Sequence, residues 1–292
     1  MKDYENAIEI KNLTKKYPGF TLDNISFNVP KGSIMGFIGQ NGSGKTTTIR
    51  ALLNIIKTDG GAINMLGMNL YENEYEIKEQ LAAVFDELPF YDGFTAKSLA
   101  IMFEGLYGNW NKKQYYAYLE RFRLPLKKPI GKFSKGMKMK LQIATALSHG
   151  AKLLIMDEAT TGLDPVVRNE ILDIFREYLM GEDTSILMSS HITSDLDKIA
   201  DSVTFIDNGK ILLTGYKDEI LENHGLCKCS RDDFKEVAPG DYISARMNDF
   251  GVDFLVSDKV ACKQKYSGLL IENTNLEEIM LFYVNKEKKE WS

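Results

Sequence analysis

Residues 39–46 read GQNGSGKT, and these eight positions constrain the fold more than any other stretch of the chain. The glycines let successive backbone N–H groups converge on one anion, an approach that a Cβ would obstruct. An apolar run, GSIMGFIG, enters the loop, and KTTTIRALLNII leaves it with helical spacing. A strand, a glycine-rich turn and a helix in that order are the context in which this pattern grips phosphate. Lys45 is then expected to reach the β- and γ-phosphates of a nucleotide and the Thr46 hydroxyl to ligate Mg²⁺. The helix that opens near Gly44 adds its partial positive charge. Gly39, Gln40, Asn41, Gly42, Ser43, Gly44, Lys45, Thr46 and Thr47 are therefore the candidate nucleotide-binding residues. The loop alone leaves the class of protein open, because kinases, GTPases, repair proteins and transporters all use it.

The flanking pattern predicts an α/β architecture. AIEIKNLTKKY and FTLDNISFNV alternate apolar and polar residues on either side of Pro18-Gly19, which predicts two antiparallel strands. LAAVFD, AKLLIMDE and TSILMSS read as buried strands, AKLLIMDE almost wholly apolar as central parallel strands tend to be. PVVRNEILDIFREYLM is an amphipathic helix with Pro165 at its first turn. SVTFIDNGKILLTG carries Asn208-Gly209 between two apolar runs, a hairpin signal. From about residue 90 to 150 the texture turns helical (KSLAIMFEGLY, KKQYYAYLERF, KGMKMKLQIATALSH), which reads as an insertion in the core. After about Tyr216 come a helix (KDEILENH), alternating segments (DYISARM, DFLVS, GLLIEN) and a last helix (NLEEIMLFYVNKEKK). The division expected is 1–215 for the nucleotide-binding core and 216–292 for a small α+β extension.

Charge and cysteine content narrow the setting. Thirty-six basic and 41 acidic side chains give a net charge of −5, which argues against a general nucleic-acid binder. Residues 87–150 nevertheless hold 11 Lys/Arg against 4 Asp/Glu, either a solvated basic face or cations facing phosphate or an anionic membrane surface. Cys227, Cys229 and Cys262 are odd in number and lack a metal-ligand repeat, and the CKC pair reads as reduced thiols on a strand edge. They fit a cytoplasmic location. The N-terminal MKDYENAIEI is unlike a signal peptide, and no run approaches the ~20 apolar residues that span a bilayer. Any membrane role is then expected through a partner.

Three further motifs carry chemistry. LLIMDEAT is a buried strand ending in two acids: Asp157 is placed to ligate Mg²⁺, and Glu158 to orient and deprotonate an attacking water. FSKGM, residues 133–137, puts a serine hydroxyl and free N–H groups at a helix start, which alone would be no more than a cap. SSH ends a later strand.

Taken with the phosphate loop and TTGLDP, these motifs resemble in order and spacing the ATP-binding-cassette (ABC) ATPases, over about residues 5–215. The resemblance implies a P-loop NTPase core with an antiparallel β subdomain and a helical insertion. It implies that Ser134, Lys135, Gly136 and Met137 match the family signature LSGGQ and meet the γ-phosphate held by a second ATPase subunit. His191 matches the histidine that contacts the γ-phosphate, and Asp164 the loop that communicates across the dimer. Tyr17 matches the aromatic that stacks on adenine, with Phe20 as the alternative. Two departures stand out. Asp86, followed by Glu87, occupies the place of a glutamine that touches Mg²⁺ or its water, and a carboxylate cannot donate a hydrogen bond. Lys135 and Met137 replace the usual glycine and glutamine. The tail resembles the extension of bacterial ABC-2-type export ATPases of the bacitracin and peptide group.

The function expected is therefore ATP hydrolysis that drives export by a separately encoded membrane permease. Two copies, or one copy and a paralogue, would sandwich ATP and Mg²⁺ at the inner face of the cell membrane. The competing readings are a soluble ABC protein acting on ribosomes or DNA and a non-hydrolysing regulatory module. A single cassette, the absence of sustained heptads and the acidic balance weigh against the first. Lys45, Asp157, Glu158 and His191 weigh against the second.

Overall fold

The computed structural model describes residues 4–181 and 183–285. The chain runs through β1 (Asn6–Tyr17), β2 (Phe20–Pro30), β3 (Ile34–Ile38), α1 (Lys45–Leu52), β4 (Gly60–Met65), β5 (Met68–Asn69), α2 (Glu74–Lys78) and β6 (Leu81–Phe85). Three helices follow, α3 (Ala96–Leu106), α4 (Lys112–Arg121) and α5 (Lys135–Leu147). Then come β7 (Leu153–Asp157), α6 (Pro165–Leu179), β8 (Ser185–Ser190), α7 (Thr193–Ile199), β9 (Ser202–Asp207) and β10 (Lys210–Tyr216). The last stretch comprises α8 (Lys217–Asn223), β11 (Gly225–Cys229), α9 (Arg231–Lys235), β12 (Ser244–Asn248), β13 (Gly251–Val256), α10 (Lys259–Lys265), β14 (Leu270–Glu272) and α11 (Leu276–Asn285).

The expected α/β class is what the strands build. A six-stranded sheet has the order β10-β9-β3-β8-β7-β6, parallel except for β10 at its edge. Its central strands are buried on both faces, as the unbroken apolar runs require. In β3, Met35 and Phe37 face one core with Ile49 and Ile155, while Ile34 and Ile38 face another with Leu154 and Ile186. A four-stranded antiparallel sheet, β2-β1-β4-β5, covers the first face. The hairpin expected at Asn208-Gly209 is present, with φ of 45° and 73°, the left-handed pair a two-residue turn needs.

Helices α3 to α5 form the insertion, entered through a Thr95–Ser98 capping box. It is fixed to the sheet by Gln142 of α5, whose side chain accepts from Phe85 N–H at 3.1 Å and donates to Phe85 C=O at 2.9 Å. The helix after the glycine loop is shorter than the apolar spacing predicts. It stops at Leu52, and Asn54 turns left-handed with φ 53°.

The final sheet has the order β12-β13-β11-β14. It does not hang free: Leu276, Ile279 and Phe282 of α11 share one core with Leu196 and Ile199 of α7. The CKC segment is not an edge, as the sequence suggested, because the three-residue β14 pairs outside β11. Cys227 and Cys262 are buried thiols with Sγ atoms 3.8 Å apart, beside Phe254 in a small separate core. Among the described residues no helix is long and apolar enough to cross a membrane. The expected helix through Lys289 is described only as far as Asn285.

Candidate functional site

β3 delivers the chain into Gly39–Gly44 at the carboxyl end of the sheet, and α1 leaves from it. A Cβ on Gly39 would lie 2.4 Å from both Ile206 C=O and Ser43 Oγ, so only glycine fits there. Gly42 and Gly44 have φ of 81° and 117°, backbone that L side chains rarely adopt. The loop is pinned from outside by Gly209 of the β9–β10 turn, whose N–H donates to Ser43 C=O at 2.9 Å. Lys45 is only 5% exposed, and its ammonium donates to Gly39 C=O at 2.7 Å and Gln40 C=O at 3.2 Å. Ser43 Oγ is buried without a hydrogen-bond partner among the described residues. A cavity of about 580 Å³ opens above the loop, lined by Gly19, Phe20, Gln40, Asn41, Gly42, Gly44, Lys45, Thr46, Thr47, Glu158 and Asn208.

The acids of LLIMDEAT arrive beside this loop because β7 ends two strands away from β3, with β8 between them. Asp157 is buried, and its Oδ1 accepts from Ser189 Oγ at 2.7 Å. Glu158 sits just past the strand in the left-handed region, φ 55°, which a residue with a Cβ occupies at a cost of about 1–2 kcal/mol. Its N–H is held there by Ser189, through Oγ at 3.1 Å and C=O at 3.3 Å. The turn throws the carboxylate toward the phosphate loop. Glu158 Oε1 lies 3.2 Å from Lys45 Nζ, and Oε2 takes a hydrogen bond from Thr161 Oγ1 at 2.8 Å and meets His191 Nδ1 at 2.6 Å. Burial pushes the Glu158 carboxyl up, but Thr161, Lys45 and His191 together outweigh burial and hold it below its ordinary range. Glu158 is therefore an anion at neutral pH, bridging a lysine and a histidine.

The other sequence candidates lie elsewhere. Ser134 caps α5, its Oγ accepting from Met137 N–H at 3.3 Å, and Ser134 and Lys135 are exposed. No hydrogen bond or ion pair joins residues 134–137 to residues 39–47 among the described residues. Asp164 caps α6, with Oδ1 accepting from Val166 and Val167 N–H at 3.1 and 3.0 Å. Asp86 follows β6, and its carboxylate lies on the Lys135 ammonium at 2.5 Å. Tyr17 is half-exposed with the Lys15 ammonium 5.4 Å from its ring centroid, and Phe20, not Tyr17, lines the cavity.

Two residues that organise the acids lie inside motifs whose pattern points to other positions. Ser189 binds both acids; it opens SSH, where the pattern points to His191, and it is fully buried. Thr161 sits in TTGLDP, where the pattern points to Asp164.

The cavity suits a polyphosphate with a hard cation. Gly42 has nothing within 4 Å of where a Cβ would sit, so the loop is open to a ligand at that point. Ser43 Oγ lacks a partner, Thr46 presents a hydroxyl at the surface, and the Asp157 carboxylate supplies an oxygen donor of the kind Mg²⁺ takes.

A family model described as ABC transporter matches residues 22–161, and one described as an AAA domain, putative AbiEii toxin, matches 127–196. The chain is 38% identical over 208 residues to the bacitracin transport ATP-binding protein BcrA of Bacillus licheniformis, across 70% of this chain and 68% of that one. It is 31% identical over 225 residues to the daunorubicin/doxorubicin resistance ATP-binding protein DrrA of Streptomyces peucetius, covering 75% and 68%. With the lantibiotic transport ATP-binding protein SrtF of Streptococcus pyogenes the identity is 33% over 209 residues, covering 70% and 89%. A solved structure described as the ATP-binding subunit of an ABC transporter shares 30% identity at a TM-score of 0.66, covering 73% of this chain and 91% of that chain.

Proposed function

Because the chain belongs to the ABC transporter family and is one of its ATP-binding, ATP-hydrolysing subunits, we propose that it powers export by a separate membrane permease through ATP-driven pairing with a second ATPase subunit. The observation that carries the catalytic part is the Lys45–Glu158–His191 cluster, in which one carboxylate meets both the ammonium and the imidazole within 3.2 Å. Lys45 is the residue that would neutralise the β- and γ-phosphates. In doing so it exchanges Glu158 for a stronger anion and frees the carboxylate to take a proton. Glu158 then removes that proton from water as the water oxygen bonds to the γ-phosphorus and the bond to the departing ADP oxygen breaks. His191, on the same carboxylate, orients it and faces the new charge. Thr46 and Asp157 are the residues that would hold Mg²⁺, which supplies charge neutralisation to the phosphates when bound. Asp86 is a weaker candidate for that role because Lys135 already occupies its carboxylate.

Pairing follows from what one chain lacks. Ser134 and the first turn of α5 meet no anion beyond the Ser134–Met137 cap among the described residues, and a second chain's terminal phosphate would supply one. The permease contact is assigned to the groove of about 370 Å³ between the sheet and the helical insertion, lined by Leu53, Ile55, Phe85, Phe90, Phe103 and Tyr107. Ile55 is 60% exposed there, and nearby Leu106 of α3 is 63% exposed, which is apolar surface that a partner helix would cover. Docking there places the chain at the inner face of the membrane. Export as the direction is supported by the bacitracin, lantibiotic and daunorubicin/doxorubicin relatives.

Glu158→Gln tests the reading. Loss of a general base costs about 10²–10⁴-fold, so the variant should bind ATP, pair stably and turn over at that reduced rate. Wild-type phosphate release by the variant would remove Glu158 as the base.

A further inference from the structure

The two residues that depart most from the family pattern touch each other. Asp86 Oδ1 and Lys135 Nζ are 2.5 Å apart, and each side chain is 43% exposed. Three observations separate this pair from an incidental surface contact. Gln142 clamps Phe85 from the same helix, so the backbone that carries Asp86 is held in register with the start of α5. Lys135 Nζ also packs over Gly162, where a Cβ would come within 3.2 Å of it. Gly162 is next to Thr161, whose hydroxyl holds Glu158. One lysine thus joins the end of β6, the start of α5 and the turn that carries the reactive carboxylate.

We propose that the Asp86–Lys135 pair is a charge lock on the composite site. Asp86 neutralises Lys135 within one chain, and closure of two chains hands Lys135 to the terminal phosphate held by the other. This rests on the paired arrangement proposed above. The physical basis is a competition between two anions for one ammonium. Lys135 is next to Ser134, the capping residue exposed on the face that would meet the partner. A phosphate arriving at Ser134 therefore enters reach of a cation that already has a carboxylate. The phosphate carries more charge and wins when present, but each closure must first break the internal pair. Asp86 sets how much ATP is needed to close, and Lys135 is a positioning residue for the phosphate of the second chain. In this account the carboxylate acts through the lysine alone.

The test uses the full-length chain in the Glu158→Gln background, with ATP-driven association followed by analytical ultracentrifugation and the ATP concentration at half-maximal association as the readout. Asp86→Asn keeps the shape and removes the charge. It should lower the required ATP by roughly two- to fivefold, the range of a half-exposed ion pair. Lys135→Met should raise the requirement by roughly tenfold, through loss of a charge-assisted contact to phosphate. The double variant should match Lys135→Met alone. An unchanged or raised requirement in Asp86→Asn overturns the lock, as does an additive double variant. If the parent Glu158→Gln chain binds ATP but never associates, the paired reading fails as well, so the two failures are told apart.

Discussion

Ser189→Ala is the substitution that most directly probes how the acids are held. Ser189 is fully buried, so alanine removes one oxygen without exposing surface. Two bonds are lost. The hydroxyl donates to Asp157 Oδ1 at 2.7 Å, and a hydrogen bond to a charged group contributes about 1.5–3 kcal/mol. It also accepts from Glu158 N–H at 3.1 Å, but that N–H keeps the Ser189 carbonyl at 3.3 Å, so the second loss is about 0.5 kcal/mol. The expected destabilisation is about 2–3.5 kcal/mol, a large share of the stability of an ordinary domain. The effect on turnover has a separate origin. With its N–H more loosely held, the left-handed Glu158 relaxes toward ordinary backbone, and a displacement of about 1 Å at a reacting group costs roughly 10²-fold. Urea unfolding by circular dichroism reads the first quantity, and phosphate release at saturating magnesium and ATP reads the second. A variant within about 0.5 kcal/mol of the parent, turning over at the parent rate, would show that the serine does not position the acids.

Phe20→Ala should weaken binding of a fluorescent ATP analogue roughly 5- to 150-fold, from loss of a base-stacking contact of about 1–3 kcal/mol, while Tyr17→Ala should change it little. The reverse order would return the adenine to Tyr17. Gln142→Leu leaves both Phe85 backbone groups without their partner and should destabilise the fold by about 2–4 kcal/mol, read as a lowered urea midpoint. Burial lowers the pKa of His149 and of His224 below the ordinary 6.5 in the folded chain, so the unfolded chain binds more protons below that pH. The urea midpoint should therefore fall as pH drops from neutral through the 6.5 region toward the folded values. It should fall less in His149→Phe, which keeps a ring against Tyr107. A midpoint that rises on acidification contradicts this assignment.

The residues of the candidate site are legible in the sequence because their pattern is local. Gly39–Thr46 must have its glycines for steric reasons, and two acids at the end of an apolar strand have few structural uses. What escaped is what depends on register between distant strands. Ser189 meets Asp157 because β7 and β8 pair Asp157 with Ser189 across the ladder, a relation that no local pattern carries. Asp86 and Lys135 were each visible as oddities, but their contact needs the Gln142 clamp between α5 and β6. Phe20 lines the cavity and Tyr17 does not, although the two are cross-strand partners at the Pro18-Gly19 turn, a choice between paired neighbours that no local pattern makes. The CKC strand reads as an edge in the sequence because β14, three residues long, is too short to announce itself as a neighbour.

The left-handed backbone at Glu158 sets two preferences of the polypeptide against each other. Backbone conformation alone would favour glycine or asparagine there, since either residue rests in that region more comfortably than glutamate. The carboxylate, in turn, is what offsets the buried Lys45 ammonium, so a shorter residue would relax the turn and strand a charge in the same step.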